Sequence, residues 1–548
     1  MLSLKGVHMG IPRRASCIAF LCCAIVVFAY GASLQRAKTF GMRTQVAPLV
    51  FQSIPAVLSA QVFGHDKPFT SLESVSAMYY AELSDYATDA GLINSAIQKI
   101  RNSNISRSED PRYRLLFPDD KGIVDFVSIA FRIFGLKAQS PFDLYFLLLL
   151  LSSACFVAAF RNHPSHLLLL ASFLATYYLV LPMIALNPQL YSILHSRANP
   201  LLSMVACLHC LLFAIRGRVS GAQVLLLGVQ IVLIIFVLHL RTTTIWQLVS
   251  IAALSIVAAI YFYLRPIDQE SVRRRNILAA SLPVILLITA LFGLNVYRSH
   301  AYPIEYHRGE QILTRTFWHN IFSGFAFHPR FSERYALRVD DVSIMLATVA
   351  YLHEKNRAQE WQSMGVGPPG ITIKNWTAYD RVVKEMLVER CSAYLGECIA
   401  AFAYYKPVSL ASNLAWLYGL RSIPPDLDLF VSRDWGDAVK TQMLDLSAGL
   451  DKRGFRAFLW APVALLLVLP FVVLMMAEGI LDLSIAFIAC AVLFIGSTVP
   501  TLIGYPIPFT LSDPGIALGM LLYFSFCAAA TILLKAAIQS PKQPQTAD

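Results

Sequence analysis

Two adjacent aspartates and a lysine, Asp119, Asp120 and Lys121, stand directly before an apolar run in the stretch FPDDKGIVDFVSIAFRIFG. A carboxylate beside a reacting hydroxyl can remove its proton, and an ammonium group can bind an anion. One side-chain oxygen is enough to cap a helix, so two carboxylates exceed the need of a cap. We therefore predict that Asp119 or Asp120 is a catalytic base and that Lys121 contacts the substrate. Simple capping of the following helix is the alternative.

The apolar run behind these residues predicts an interfacial helix over 122–136. It ends after about 14 residues, whereas a helix that crosses a bilayer needs roughly 20. On a helical wheel, Asp125, Ser128 and Arg132 share one stripe, and isoleucine, valine and phenylalanine cover the rest. Helices of this kind lie in the headgroup layer. The two aspartates would then stand at the depth of a lipid phosphate, at the positive end of the helix dipole.

The composition of the chain is that of a membrane protein. Of its 548 residues, 56% are hydrophobic and only 14% are charged, and the mean hydropathy is +0.57. A soluble chain of this length would carry about a quarter charged residues. The net charge of +11 does not indicate a nucleic-acid partner, because the basic clusters stand beside hydrophobic runs, as orientation signals do. We expect a polytopic α-helical membrane protein.

Hydrophobic runs predict ten transmembrane helices, each of about the length that the hydrocarbon core demands. They cover residues 15–32, 143–160, 166–186, 198–215, 222–240, 244–264, 276–296, 456–477, 479–498 and 514–535. Short segments rich in lysine and arginine mark the cytoplasmic side, and all of them fall on one face if both termini are cytoplasmic. The chain is then a multi-pass protein of a cell membrane, and a bacterial inner membrane is the expected location.

The predicted helices divide the chain into five parts. These are a cytoplasmic N-terminus with the first transmembrane helix (1–32), a first outer lobe that ends with the interfacial helix (33–142), a six-helix block (143–296), a second outer lobe (297–455), and three transmembrane helices with a cytoplasmic tail (456–548). Both lobes have ordinary polar composition and both begin and end at a helix. We therefore expect them to be folded, with the active site on the outer face.

The predicted outer face also carries cations and aromatic residues that suit a phosphate or a sugar. The positive-inside rule does not place arginines on that face. Planar guanidinium groups bind phosphate oxygens in a bidentate manner, and aromatic rings stack on sugar faces. Besides Lys121, the predicted substrate-binding residues are Arg197, Arg241, Arg315, Trp318, His319 and Arg330. For Arg241, at the outer end of a span, the alternative is an anchor whose side chain reaches the headgroups.

The sequence predicts neither a metal site nor an ion pathway. His300, His307, His319 and His328 lack the compact spacing of metal ligands, so a divalent metal would have no clear ligand set. The interiors of the spans are almost free of charged residues, whereas ion-coupled transporters place ionisable groups at mid-membrane depth. The cofactor therefore stays unassigned, and a transporter is a minor alternative.

Two of the ten cysteines, Cys391 and Cys398, lie in the second predicted lobe, where an oxidising compartment would permit a disulfide. Seven residues of continuous helix would separate their Cα atoms by roughly 10 Å, beyond the reach of a disulfide. Only a reversal of the chain between them would allow the bond. We therefore expect two free thiols.

The order of these parts resembles that of the GT-C superfamily of membrane glycosyltransferases. A first span, a long acidic outer loop, an interfacial helix, a block of spans and an outer lobe follow one another in both. The segment FWHNIFSGF followed by RVDD is similar to segments of bacterial GT-C-like proteins. Members of the superfamily take sugars from polyprenyl-phosphate carriers and use an acidic residue of the first outer loop as the base. The resemblance implies a GT-C-like fold and gives that role to Asp119 or Asp120, with Asp66, Glu73 and Asp85 as the next candidates.

The resemblance further implies an inverting transfer of a sugar from a polyprenyl-phosphate-linked donor among the membrane lipids. The acceptor would be a glycan, a lipid or a protein of the cell envelope. One alternative is a lipid-linked polysaccharide polymerase or ligase, in which the acids of the first loop would be dispensable. Another is a non-catalytic membrane protein of envelope assembly, in which single changes at the acids and arginines would leave the function intact.

Overall fold

The computed structural model describes residues 122–135, 140–186, 199–216, 220–266, 269–301, 317–366, 372–373, 375–418, 420, 472, 475, 479–506 and 511–539. Several predicted features lie outside these residues. They are the span at 15–32, nearly all of the span at 456–477, the first lobe up to residue 121, and the site residues Asp119, Asp120, Lys121, Arg197 and Arg315.

The described elements are almost all helices. The first group is α1 (Gly122–Phe134), α2 (Ser140–Phe160), α3 (Pro164–Leu186), α4 (Asn199–Leu202), α5 (Met204–Arg216), α6 (Gly221–Leu240), a 3-10 turn (Thr242–Thr244), α7 (Ile245–Leu264) and α8 (Glu270–Ala301). The second is α9 (Phe317–Ser323), a 3-10 turn (Gly324–Phe327), α10 (Pro329–Tyr335), α11 (Asp341–Glu354), α12 (Ala358–Met364), α13 (Trp376–Ala393), α14 (Leu395–Ala400), a π-helical segment (Ala401–Tyr405) and α15 (Lys406–Leu417). The last two are α16 (Ile480–Ile503) and α17 (Ser512–Gln539). A two-residue strand, β1 (Gly365–Val366), pairs with β2 (Thr372–Ile373) in antiparallel register, Gly365 opposite Ile373.

Six of the described helices are long and apolar enough to cross a membrane, which confirms a helical membrane protein. These segments are Asp143–Phe160, Gly221–Leu240, Thr242–Leu264, Glu270–Ala301, Ile480–Ile503 and Ser512–Ile538, and each overlaps a predicted span. Apolar residues surround such helices on all sides, because one face meets neighbouring helices and the other meets lipid. On α6, for example, Leu227 and Ile231 are buried, whereas Leu225 and Val232 are exposed.

The predicted span at 198–215 is interrupted. The chain leaves the helix at Ser203, between α4 and α5, and α5 is shorter than a membrane crossing requires. Pro200 has no backbone N–H to give to a helix, and its carbonyl accepts from Gln247 Nε2 of α7 at 2.7 Å. Ser203 Oγ donates to Gln247 Oε1 at 2.8 Å. The break therefore arises because polar groups of this segment bond to α7.

Polar contacts show which helix ends lie together. His163 Nδ1, in the α2–α3 turn, lies 3.8 Å from Asp482 Oδ1 at the start of α16. Arg216 Nη1, at the end of α5, lies 3.3 Å from His166 Nε2. We call this the basic end, because the alternation of the helices also brings Arg265, at the end of α7, and Arg273, near the start of α8, to it. These arginines therefore lie at the same end of the bundle as Arg216.

The opposite end of the bundle carries residues 317–418 and is called the lobe end. Lys406 Nζ donates to the carbonyl of Ile503, at the end of α16, at 3.0 Å. Asn413 Nδ2 donates to the carbonyl of Pro506 at 3.0 Å. The lobe itself has an aromatic core in which Phe331 and Tyr379 are fully buried. Helix α15 thus joins the lobe to the ends of the bundle helices.

A helix, α1, is present where the interfacial helix is predicted, and it is two residues shorter than expected. It ends at Phe134 because Gly135 adopts a left-handed backbone conformation, with φ at +83°, a common way for a helix to stop. Phe126 and Ala130 are buried against the bundle, whereas Ile133 is 56% exposed. The helix therefore has one apolar side on the protein and another turned outward, as a helix in the headgroup layer would.

The prediction of two free thiols in the lobe is wrong, because Cys391 and Cys398 form a disulfide. Their Cα atoms are 5.7 Å apart, within the usual range for this bond. Helix α13 ends at Ala393, Tyr394 leaves the helical conformation, and α14 begins at Leu395. The spacing argument assumed a continuous helix, and the chain instead changes direction between the two cysteines.

Candidate functional site

The interfacial helix begins directly against the lobe end of α6. At Gly122, an added Cβ would lie 2.5 Å from the carbonyl carbon of His239 and 2.6 Å from its oxygen. Only a glycine fits so close to another backbone, which explains its place at the first position of α1. The residue that follows Asp119, Asp120 and Lys121 in the chain therefore lies in contact with the last turn of α6.

Three helices contribute side chains to one hydrogen-bonded cluster at this contact. Asp125 of α1 lies with Oδ2 at 2.8 Å from His239 Nε2 of α6. Tyr297 of α8 donates its hydroxyl to the same carboxylate oxygen at 3.0 Å. Arg298, the next residue of α8, donates Nε–H to His239 Nδ1 at 3.1 Å. We call these four residues the lobe-end cluster.

The donors in this cluster determine the protonation of the imidazole. A guanidinium group has only donors, so His239 Nδ1 accepts from Arg298 and carries no proton. Nε2 then carries the proton and donates it to Asp125. The ring lies between a carboxylate and a guanidinium, and it fixes the orientation of Arg298. Asp125 already accepts two hydrogen bonds, which suits a positioning role for this carboxylate.

Arg241 stands two residues beyond His239, where α6 ends. It is the C-terminal capping residue of α6, and its backbone N–H donates to the carbonyl of Val237 at 2.8 Å. The 3-10 turn Thr242–Thr244 and α7 follow directly. The predicted phosphate-binding Arg241 and the positioned Arg298 thus both neighbour His239. Guanidinium groups bind anionic groups such as phosphates in a bidentate manner.

The start of α7 is also tied to the start of α17. Trp246 Nε1 donates to Asp513 Oδ2 at 3.1 Å, a contact between residues far apart in the chain. Ser512 Oγ donates to Asp513 Oδ1 at 3.3 Å, and Asp513 is buried. Sequence reasoning did not select Asp513. The Ser-Asp-Pro stretch is a helix-start signal, but no local pattern indicates its partner Trp246.

The predicted site residues of the second lobe lie within or on that lobe. His319 is buried, with Nδ1 at 2.8 Å from the Tyr379 hydroxyl and Nε2 at 3.0 Å from Asp341 Oδ1. Trp318 is half-buried, and Lys384 Nζ lies 5.3 Å from its ring centroid. Arg330 is exposed on α10. Both ring nitrogens of His319 have partners on α11 and α13, which suits a role in lobe structure, while Trp318 and Arg330 remain predicted substrate contacts.

Lys406 is a buried cation that sequence reasoning did not select. Its side chain is fully buried where the lobe meets α16, and Nζ lies 3.8 Å from the ring centroid of Phe402. Burial lowers the pKa of Lys406 to about 7, since removal from water disfavours the charged form. The signal visible in the sequence is a lysine inside the apolar stretch AYYKPVSLAS.

No metal centre is evident among the residues that the structure describes, since no three or more His, Cys, Asp or Glu side chains are grouped to hold one. The chain matches no protein-family model, no curated protein and no solved structure. The functional interpretation therefore rests on the chemistry of the chain's own residues. Of these, the lobe-end cluster is the place where a carboxylate of α1, an imidazole of α6 and a guanidinium of α8 come together.

Proposed function

We propose that this protein is a membrane glycosyltransferase that takes a sugar from a polyprenyl-phosphate carrier. The acceptor is an envelope glycan, lipid or protein, and transfer takes place at the lobe end, on the outer face of the membrane. The observation that carries the proposal is the lobe-end cluster. It links the interfacial helix, through Asp125 and His239, to the arginines that would face a lipid phosphate.

The chemistry of such a transfer needs two kinds of group. A base removes the proton of the acceptor hydroxyl, whose oxygen attacks the anomeric carbon of the sugar. The bond from that carbon to the phosphate oxygen breaks, and the carrier leaves as a polyprenyl phosphate anion. Positive groups placed at the phosphate stabilise the charge that develops on it. Attack from the side opposite the phosphate inverts the anomeric centre, and one base suffices.

In this proposal, Asp119 or Asp120 is the base. Both precede Gly122 by only two or three residues, and Gly122 is packed against the last turn of α6. Arg241 binds the phosphate, and Arg298 is held by His239 to do the same. Asp125 acts as a positioning residue, because it accepts from Tyr297 and His239.

The disulfide supports the proposed orientation. Disulfides persist in oxidising compartments and are rare on the cytosolic side of a bacterial inner membrane. Cys391 and Cys398 belong to the lobe, so a lobe outside the cytoplasm fits the bond. The arginine-rich turns at 216–221 and 265–275 then face the cytoplasm, as the positive-inside rule expects.

The test of this function is the release of the carrier. Purified protein in proteoliposomes would be given a panel of polyprenyl monophosphate sugars together with envelope glycan and lipid acceptors. We expect one donor to yield free polyprenyl phosphate and a glycosylated product in equal amounts. A parallel panel of polyprenyl diphosphate oligosaccharides tests the polymerase or ligase alternative.

The outcomes separate the alternatives. Turnover of diphosphate-linked oligosaccharides alone would replace the proposal by the polymerase or ligase. The non-catalytic assembly protein would be favoured by two results together. The purified protein would turn over neither panel, and an Arg241→Ala variant would rescue the envelope defects of a deletion strain. An Asp482→Asn variant serves as the matched control, because Asp482 lies at the basic end and its loss should leave turnover unchanged.

A further inference from the structure

The turn between α6 and α7 contains buried hydroxyls that lack partners. Within the part of the chain that the structure describes, the Oγ1 atoms of Thr243 and Thr244 are buried and make no hydrogen bond. The Thr244 side chain is fully buried. Buried polar groups in folded proteins are nearly always hydrogen-bonded, so each exception calls for an explanation. An absent ligand with acceptor oxygens is one such explanation.

These hydroxyls stand at the positive end of a long helix dipole. The segment Thr242–Leu264 is one apolar span of 23 residues, and Thr244 is the N-terminal capping residue of α7. Thr244 has helical backbone angles, so the 3-10 turn is the first turn of this span, and the Thr244 side chain makes no capping hydrogen bond. A helix N-terminus with its dipole and backbone N–H groups attracts anions. The start of this span therefore provides a positive field next to two hydroxyls that make no hydrogen bond.

The arrangement of the turn leaves an approach for a ligand. Arg241 precedes the turn, and both Arg241 and Thr243 are partly exposed, whereas Thr244 is buried. Trp246, two residues after Thr244, is anchored to Asp513 of α17, which fixes the direction of α7 at this point. An anion beside Arg241 would therefore lie at the turn that carries both hydroxyls.

We infer that the turn Arg241–Thr244 is a binding site for a phosphate group, with hydroxyl hydrogen bonds from Thr243 and Thr244 and a guanidinium contact from Arg241. This inference rests on the proposed function, because it assigns the turn to the phosphate of the lipid-linked donor. It adds two residues that no pattern in the sequence singled out and gives them the role of phosphate donors.

Because these hydroxyls have no partner, removing them should weaken phosphate binding without lowering the stability of the ligand-free protein. Thr244→Val and Thr243→Val keep almost the same side-chain shape and remove only the hydroxyl. Removal of a buried polar group without a partner does not destabilise the ligand-free protein. The same change removes a hydrogen bond to a charged phosphate, and we expect about tenfold weaker binding for each variant. Thr244→Ser retains the hydroxyl and should bind nearly as well as the unchanged protein.

Two controls isolate the effect. Ser255, further along α7, also has a buried hydroxyl without a partner among the described residues, and it lies about 16 Å from Thr244 along the helix. Ser255→Ala should leave both stability and phosphate binding unchanged. Thr531 of α17 donates its hydroxyl to the carbonyl of Cys527 at 2.8 Å. Thr531→Val should therefore bind phosphate normally without any gain in stability.

The measurement is the thermal unfolding of the full chain in nanodiscs, with and without three probes. The probes are farnesyl phosphate, inorganic phosphate and phosphatidylglycerol. A ligand that binds the folded protein stabilises it by an amount that grows with the logarithm of the ligand concentration divided by the dissociation constant, so one experiment reports both stability and binding. We expect farnesyl phosphate to stabilise the unchanged protein, Thr244→Ser, Ser255→Ala and Thr531→Val, and to stabilise Thr243→Val and Thr244→Val much less.

Equal stabilisation of all variants would overturn the site. So would a lower unfolding temperature of Thr244→Val without any probe, because the hydroxyl would then have a partner in the protein. If stabilisation by phosphatidylglycerol depends on Thr244 and stabilisation by farnesyl phosphate does not, the assignment to the donor is overturned. The site would then bind membrane headgroups. The binding measurement does not require turnover, so it tests the site separately from the reaction. If farnesyl phosphate binds in a way that depends on Thr244 but no sugar is transferred, the result counts against the proposed reaction and not against the site.

Discussion

Helix α6 carries two polar clusters about 14 Å apart, and the first lies in the middle of the bundle. Ser152 Oγ donates to Gln230 Oε1 at 2.8 Å, and Gln230 Nε2 donates to the Ser152 carbonyl at 2.8 Å. Gln230 Nε2 also lies 3.5 Å from His209 Nδ1. All three side chains are buried, and they belong to α2, α5 and α6. Their hydrogen bonds join three helices to one another.

The second cluster, at the lobe end of the same helix, contains charged groups. Asp125 and Arg298 stand on opposite sides of the His239 ring, and the Asp125 side chain is 22% exposed. Its members come from the interfacial helix and from the ends of α6 and α8. Arg241 extends the same region toward the start of α7.

The difference between the two clusters follows from the cost of charge in hydrocarbon. A charged side chain at the bilayer centre is expensive, so the polar side chains there are amides, hydroxyls and imidazoles rather than carboxylates or guanidinium groups. At headgroup depth this cost is small, and charged groups can be held in place for a ligand. We therefore assign a structural role to the Gln230 cluster and a functional role to the lobe-end cluster. The predictions below follow this distinction, from the largest effect on transfer to the smallest.

The largest effect is expected at the proposed base. Asp119→Asn and Asp120→Asn, made separately, keep the side-chain shape and can still cap a helix. One of the two should lower turnover by about 10²- to 10⁴-fold, the usual contribution of general base catalysis, without a change in unfolding temperature. Turnover is measured as polyprenyl phosphate released per folded molecule. Near-normal rates in both variants would leave capping as the whole role of the pair.

Arg241 should affect donor affinity more than the rate of the chemical step. Arg241→Ala removes charge-assisted hydrogen bonds to phosphate, and we expect the donor dissociation constant to rise about tenfold to a hundredfold. Arg241→Lys keeps the charge without the planar fork and should rescue part of the loss. Titration of a slowly reacting donor analogue measures the constant. Equal affinities for arginine, lysine and alanine would identify Arg241 as a headgroup anchor.

The buried Lys406 should make the stability of the protein rise with pH. Its pKa is about 7 in the folded protein and about 10.4 in an unfolded chain. Between these values the unfolded chain binds a proton that the folded protein does not, so this lysine makes stability rise with pH from about 7 to about 10. Lys406→Met removes the buried charge. The variant should be more stable than the unchanged protein at pH 6, and the difference should shrink as the pH approaches 10.

Thermal unfolding of both proteins between pH 6 and pH 10 checks this prediction. A difference that is constant over the range would mean that the lysine titrates alike in both states. Turnover of Lys406→Met at pH 10 should match that of the unchanged protein, because the lysine is enclosed by Phe402 and the end of α16 and is outside the lobe-end cluster.

The smallest effect on transfer is expected in the middle of the bundle. Gln230→Leu removes the bonds to Ser152 and leaves polar groups unsatisfied, and we expect a loss of about 1–2 kcal/mol in unfolding free energy. Turnover per folded molecule should not change. Gln223→Leu, in the first turn of α6 where the bonding to Ser220 is exposed, is the matched control and should cost much less. Lower turnover in Gln230→Leu would remove the distinction between the two clusters.

Local patterns predicted most of the helices and some members of the site. Apolar length predicted the six membrane-spanning helices, and the polar stripe of α1 contained Asp125. The pairing of Asp125 with His239 joins residues 114 positions apart, and it depends on how α1 packs on α6. No periodicity or motif contains that information.

One error of detail has a physical cause. The spacing of the two cysteines gives a distance beyond bonding reach only for one continuous helix, and the corner at Tyr394 invalidates that conversion. The span predicted at 198–215 consists of α4 and α5 with a turn at Ser203 between them, and hydropathy takes no account of the hydrogen bond between Ser203 and Gln247. Lys406 was overlooked because hydropathy alone does not show that its side chain is buried.

Photo-crosslinking with a polyprenyl phosphate that carries a photoactivatable group near the phosphate tests most directly whether the lobe-end cluster is the donor site. It needs no turnover and no substitution. We predict crosslinked peptides from α1, from residues 239–245 and from the end of α8 around Arg298, and competition by unlabelled farnesyl phosphate. Crosslinks concentrated at the basic end, around 161–166 and 265–275, would contradict the assignment of function to the lobe end.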